Sequence, residues 1–205
     1  MVAHARGSGS GDTSQVISDA AIRLFHDRGY HGTSIRDIAR EADVGIATLF
    51  HHHGSKLELL RRIMNAGFDD LLEEMQAAVD AAGDDPTARL SAAVRTHVRC
   101  HCESPMESAI ATSEMRSLQP PLLDELAAKG DRVHALFASA IEDGVTTGAF
   151  TCDGPRETAR ALHAMCSAVT GWYRTDGPMS PDHVAELYVG MALRLVGARE
   201  LAPTR

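Results

Sequence analysis

Residues 13–56 run TSQVISDAAIRLFHDRGYHGTSIRDIAREADVGIATLFHHHGSK, and their hydrophobic spacing decides the fold. From Thr13 to Arg28 the apolar positions Val16, Ile17, Ala20, Ala21, Leu24 and Phe25 recur at intervals of three and four, which places them on one face of an amphipathic helix. Gly29 stops that helix, because a glycine past the last turn enters the left-handed conformation without strain. Thr33-Ser34 stand where an N-cap is wanted, and Ile35, Ile38 and Ala39 line a short second helix ending near Ala42. Asp43-Val44-Gly45 form a tight turn, Ile46 to His52 a third helix, and Gly54-Ser55 the break before a fourth. Two short helices joined by so tight a turn are the arrangement in which a helix-turn-helix offers its second helix to the major groove of DNA.

Working outward, the fourth helix spans about Lys56 to Ala82, with Leu57, Leu60, Ile63, Met64, Phe68, Leu71, Leu72, Met75 and Val79 on one side, and its length suits a connector. Helical stretches follow at about 86–102, 105–118, 121–147, 155–174 and 181–198, separated by glycine- and proline-rich breaks such as Gly83 to Pro86, Ser104-Pro105, Gln119-Pro120-Pro121, Gly148 to Pro155 and Asp176 to Pro181. Strand alternation and internal repeats are absent from the pattern. The expected fold is all-α with about nine helices: a flexible Gly/Ser-rich arm over 1–12, a three-helix DNA-binding head over 13–56, and a helical body over 57–205.

Composition agrees, since 44% hydrophobic residues with only 4% aromatics favour helix over a β sandwich. The net charge of -8 argues against wholesale coating of nucleic acid, but its distribution is uneven. Residues 1–56 hold six Lys/Arg against six Asp/Glu, whereas 57–205 hold fourteen against twenty-two. A neutral head on an acidic body suits a protein that offers one end to DNA. Cys100, Cys102, Cys152 and Cys166 match no disulfide framework, and neither a signal peptide nor a membrane-length apolar run occurs, so a cytoplasmic chain with reduced thiols and no membrane partner is expected.

The spaced residues from Ile17 to Leu60 resemble a family signature. Ile17, Ala21, Leu24-Phe25, Gly29-Tyr30, Thr33-Ser34-Ile35, Ile38-Ala39, Ala42, Val44, Thr48-Leu49, His52, Ser55-Lys56 and Leu59-Leu60 are similar to the N-terminal head of the TetR family of transcriptional regulators. Matches at so many positions are far more specific than a bare helix-turn-helix. The resemblance implies a homodimeric repressor released from a palindromic double-stranded operator by a small molecule. On its motif Thr33, Ser34 and Lys56 sit where helix starts can hold phosphate. Ile46, Ala47 and Thr48, with Phe50, His51 and His52, belong to the helix that enters the major groove. Arg36 and Arg40 stand either as added phosphate contacts or as solvated helix charges. Four departures matter: Asp43 replaces a turn glycine, Gly45 a serine-like cap, Phe50 the usual tyrosine and His53 the usual phenylalanine.

In this family the later helices form an effector pocket and the last two pair with their copies. Independently, the apolar surface of Ala161, Leu162, Met165, Val169, Val184, Leu187, Tyr188, Met191 and Leu195 exceeds what a lone amphipathic helix needs. Adaptable side chains collect at Cys100, His101, Met106, Met115, Leu118, Phe137, Met165, Cys166 and Trp172, each a candidate for either pocket lining or core. The stretches from Glu114 to Pro121 and from Gly171 to Pro181 resemble the branch that regulates lipid and steroid catabolism by sensing acyl-CoA thioesters. A hydrophobic effector, acyl-CoA favoured, is therefore expected, with Arg116, Arg132 and Arg174 as candidate phosphate partners.

The alternative is a metal- or thiol-responsive repressor using His97, Cys100 and His101, which share a helical face. Consecutive helical residues such as His51-His52-His53 diverge by about 100° and cannot share one ion. No Gly-rich phosphate loop, GxSxG or HExxH occurs, so neither an enzyme nor a bound cofactor is expected.

Overall fold

Prolines and short polar side chains decide where the helices begin. Pro86, Pro105, Pro155 and Pro181 each open a helix, where a missing N–H costs nothing and the ring presets the backbone angle. Ser34, Ser55, Asp85 and Ser180 cap others through their side-chain oxygens. The computed structural model describes residues 10–198, and among these it contains nine α-helices and two short 3-10 turns, without strands. In chain order they are α1 (Ser10–Arg28), α2 (Ile35–Glu41), α3 (Ile46–His53), α4 (Lys56–Ala81), α5 (Pro86–Glu103), α6 (Pro105–Glu114), α7 (Leu122–Thr147), α8 (Pro155–Ser167) and α9 (Pro181–Leu195). Residues 1–9 of the expected flexible arm lie outside the described residues, and α1 takes in the rest of that segment from Ser10 onward.

Two expected helices end in 3-10 turns, and the stretch 181–198 stops at Leu195. The stretch 105–118 gives way at Met115–Ser117 to a 3-10 turn, and Leu118, with ψ of 151°, is already extended ahead of Pro120 and Pro121. The stretch 155–174 tightens to a 3-10 turn at Ala168–Gly171, where β-branched Val169-Thr170 precede a glycine. Asp43 adopts a left-handed φ of 51°, the conformation its place in the turn demands.

Two hydrophobic cores share α4. Leu59, Leu60, Ile63 and Met64 pack into the head with Ile17, Phe25, Ile38 and Leu49, whereas Leu71, Leu72, Met75 and Val79 pack into the body with α5, α7, α8 and α9. The head core is not closed on itself: Ile110, Leu118, Leu122 and Leu126 from α6, α7 and their linker complete it. Burial of each such side chain contributes about 1.5–3 kcal/mol, so a tilt of the head must drag or unpack α6 and α7. Among the described residues, no helix is long and apolar enough to cross a membrane.

Candidate functional site

The head presents one face of α3. Leu49 and His53 turn inward, while Ile46, Ala47, Phe50 and His51 are exposed and Thr48 and His52 flank them half-buried. Gly45 is the N-cap and supplies no side-chain acceptor, so the first N–H groups of α3 remain open to an external partner. Arg36 and Arg40 are exposed on α2, and Arg40 is drawn back onto Asp37 at 2.6 Å. Ser34 and Asp37 form a capping box that pins the start of α2. His53 is buried beneath this surface, its Nε2 3.2 Å from Ser14 Oγ, and burial holds its pKa below the ordinary imidazole value.

Thr33 and Lys56 serve the head from within. Thr33 is 2% exposed and its hydroxyl donates to the carbonyls of Leu24 and Gly29 at 3.1 and 3.0 Å, so it is not free for phosphate. Lys56 Nζ donates to the carbonyls of Tyr30 and Thr33, both at 2.7 Å, and lies 4.1 Å from the centre of the Tyr30 ring. Glu114, at the end of α6 and 7% exposed, accepts the Tyr30 N–H at 3.2 Å. The segment after α1 is thus clasped between a lysine of α4 and a glutamate of α6. Burial lowers the Lys56 pKa while the nearby Glu114 carboxylate opposes that shift.

A partly enclosed cavity of about 740 Å³ lies where the two cores meet. Small residues make it: Ala66 and Gly67 of α4, Ala111 of α6, and Ala127 and Gly130 of α7 leave volume that longer side chains would fill. A Cβ added at Gly67 or Gly130 would meet nothing within 4 Å. Its outer end touches Ser14 and Gln15 of α1 and Arg62 of α4; its inner end is walled by His97 and His101 of α5 and His163 of α8. The volume lies within the range of small-molecule sites, and the lining mixes apolar walls with a few convergent polar groups.

The family model described as "Bacterial regulatory proteins, tetR family" matches residues 17–63, and that described as "Tetracyclin repressor-like, C-terminal domain" matches residues 83–196. The chain belongs to the TetR family. The transcriptional repressor KstR2 of Rhodococcus jostii is 31% identical over 191 residues, covering 91% of this chain and 92% of that protein. Among solved structures, AibR in complex with isovaleryl coenzyme A and operator DNA superposes with a TM-score of 0.80 at 26% identity, over 91% of this chain and all of AibR. The ketosteroid transcriptional regulator KstR2 of Mycobacterium tuberculosis shares the fold, with a TM-score of 0.85 over 97% of this chain and 100% of its own at 22% identity.

Within this TetR-family body the expected lining residues divide. Cys100, His101 and Met115 border the cavity. Leu118 is instead buried in the head core and Phe137 and Cys166 in the body core, against which Met165 packs. Trp172 is exposed and its indole donates to the Tyr188 hydroxyl at 3.3 Å; Met106 and Arg174 border a separate shallow depression, with Arg174 paired to Asp176. Arg116 and Arg132 are exposed away from the cavity, and Arg62 is the one arginine or lysine lining it among the described residues. Sequence reasoning missed Arg62, His163 and the glycines; Gly67, lying inside an otherwise unbroken helical pattern, was the available signal.

The metal- or thiol-responsive alternative loses its geometric basis. Among the described residues no three or more His, Cys, Asp and Glu side chains are grouped to hold a metal ion. Cys100 donates its thiol to Glu74 at 3.3 Å, and burial with that carboxylate pushes its pKa up to about 12, so the free thiol stays protonated near neutrality.

Proposed function

We propose that this chain is a homodimeric repressor whose paired heads bind a palindromic double-stranded operator and whose cavity receives a hydrophobic effector, an acyl-CoA, that releases the DNA. The observation that carries the reading is the 740 Å³ cavity at the seam between the head core and the body core, in a chain of this family. An occupant of that seam touches α1 and α4 of the head as well as α5, α6 and α7 of the body. It can therefore favour one tilt of the head over another, which is the differential affinity that release requires. AibR, bound to both isovaleryl coenzyme A and operator DNA, supports the acyl-CoA assignment. The acyl chain would occupy the buried part of the cavity, lined by Ile63, Met64, Leu126 and Val133, while the phosphates lie outward at the exposed Arg62 and solvent.

Operator contact falls to Ile46, Ala47, Thr48, Phe50, His51 and His52 in the groove, and to Ser34, Arg36 and Arg40 on the backbone. Dimerisation falls to α9, where Leu187, Met191 and Leu195 form an exposed stripe at intervals of four, 44%, 42% and 50% exposed. The test is to titrate acyl-CoAs of varied chain, with the matching free acids, into a fluorescent operator complex. Release by thioesters at concentrations where the acids are inert is expected; release by acids alone refutes the acyl-CoA assignment, and no release by any compound refutes the sensor.

A further inference from the structure

Leu49 and His53 anchor α3 to the head, and the positions they leave outward are not alike. At about 100° per residue, Ile46, Phe50 and Ala47 lie side by side over roughly 100° of the helix surface, with His51 and Thr48 following beyond Ala47. Ile46 is 42% and Phe50 47% exposed, and Ala47 beside them is exposed as well. One flank of α3 is therefore an apolar ridge open to solvent, on the helix that the proposed repressor lays in the groove.

Hydrogen-bonding readers are scarce on this helix. Its sequence, IATLFHHH, contains no Arg, Lys, Asn or Gln, the side chains that pair bidentately with guanine and adenine edges. Its polar side chains are Thr48, His51, His52 and His53; Thr48 and His52 are half-buried, and His53 is buried against Ser14. On the flanking helices Arg40 pairs with Asp37 at 2.6 Å, and Arg62 donates to Glu58 and to the His52 carbonyl, both at 3.2 Å, which leaves the exposed Arg36 for the DNA backbone. Apolar surface gains free energy on binding only where it meets other apolar surface and sheds water. Base edges in the major groove hold one such group, the C5-methyl of thymine. Methylated cytosine places a methyl at the same position, but thymine supplies it in any unmodified duplex.

We propose that Ile46, Ala47 and Phe50 read the operator through the C5-methyl groups of thymines in each half-site, so that this part of the sequence specificity is apolar rather than carried by bidentate hydrogen bonds. The proposal rests on the repressor reading above, and the experiment separates the two. Full-length protein first selects its duplex from a randomised pool. Each thymine of the selected duplex is then replaced, in both half-sites at once, by deoxyuridine, which keeps the pairing and removes only the methyl. Loss of one methyl contact corresponds to about fourfold in affinity, and about fifteenfold when both half-sites lose it. A loss of that size is expected at one or more thymine positions, and methylating the cytosines of the same duplex at C5 is expected not to strengthen binding. In Ile46→Ser or Phe50→Ser the thymine-to-uracil ratio at such a position is expected to fall to about one. The ratio is taken within one protein, so a partly unfolded variant does not alter it.

Binding that is insensitive to uracil at every position overturns the methyl readout and leaves the repressor reading standing, whereas failure to select any duplex removes both. A ratio unchanged in both serine variants overturns the proposal, because the methyl then acts through DNA shape and not through α3. Strengthening by 5-methylcytosine without loss at uracil gives the ridge to methylated cytosine and overturns the thymine assignment. Should neither variant bind measurably, 5-iododeoxyuridine at the uracil-sensitive positions decides with the wild-type protein. A photo-crosslink within residues 46–50 is expected, and a crosslink elsewhere or none refutes the proposal.

Discussion

Glu114 is the residue whose removal best tests whether body and head are mechanically joined. Its carboxylate is nearly buried, accepts the Tyr30 N–H at 3.2 Å, and faces the backbone that Lys56 grips from the other side. Met115, the next residue, and Ala111, one turn earlier, line the cavity. Glu114→Ala removes a charge-assisted hydrogen bond, a loss of about 1.5–3 kcal/mol, and leaves the desolvated Lys56 without its counter-charge. For a chain of this size that corresponds to roughly 3–12 °C in melting temperature at about 2–4 °C per kcal/mol. Glu114→Gln keeps an acceptor of the same shape and is expected to lose less than half as much.

Stability alone does not establish coupling, so the second measurement is the ratio of operator Kd with and without saturating effector. If effector shifts that ratio about a hundredfold in the wild type, the coupling is roughly 2.7 kcal/mol. Loss of the clasp is expected to cut it to about tenfold or less in the alanine variant, with the glutamine variant between. Folded variants that retain the full ratio, within twofold, would show that the head is moved through α4 and the shared core rather than through Tyr30.

Three other outcomes are expected. Arg36→Ala weakens binding to operator and to random DNA alike and flattens the salt dependence by about one charge, whereas Thr48→Ala changes base preference; competition against a randomised operator pool separates them, and equal loss on all sequences for the Thr48 change removes it from readout. Stability falls as pH drops from about 6.5 towards 4, because His101 has its pKa lowered to about 4 in the fold and so takes up its proton in the unfolded chain first. Each imidazole so held adds about 1.4 kcal/mol per pH unit over its window, and urea unfolding of His101→Leu against wild type at pH 5 and pH 7.5 is expected to show a shallower decline in the variant. Leu187→Glu combined with Met191→Glu yields a monomer by light scattering at micromolar concentration with helicity retained, and a dimer of unchanged stability would move the interface elsewhere.

Much of this molecule is local. The periodicity of Val16 to Phe25, the stop at Gly29, the capping positions and the helix-opening prolines act through backbone angles and hydrogen bonds within a few residues, so the all-α order and the turn of Asp43 could be stated from the chain alone. The candidate DNA face was legible for the same reason, since helical period decides that Ile46, Ala47 and Phe50 point away when Leu49 points in. What local pattern could not decide is which inward side chains fill space and which border it. Phe137 and Cys166 are as apolar as Met115, yet only Met115 lines the cavity, because whether such a side chain meets space or a neighbour depends on residues from other helices. Lys56 was placed correctly at the start of α4, and Thr33 lies just ahead of the α2 cap rather than on the helix, but the hydrogen bonds of neither were legible, with partners up to 26 residues away. His97 and His101 could be paired from their spacing, but the meeting with His163 from α8 belongs to the packing of helices about sixty residues apart, which only the tertiary structure decides.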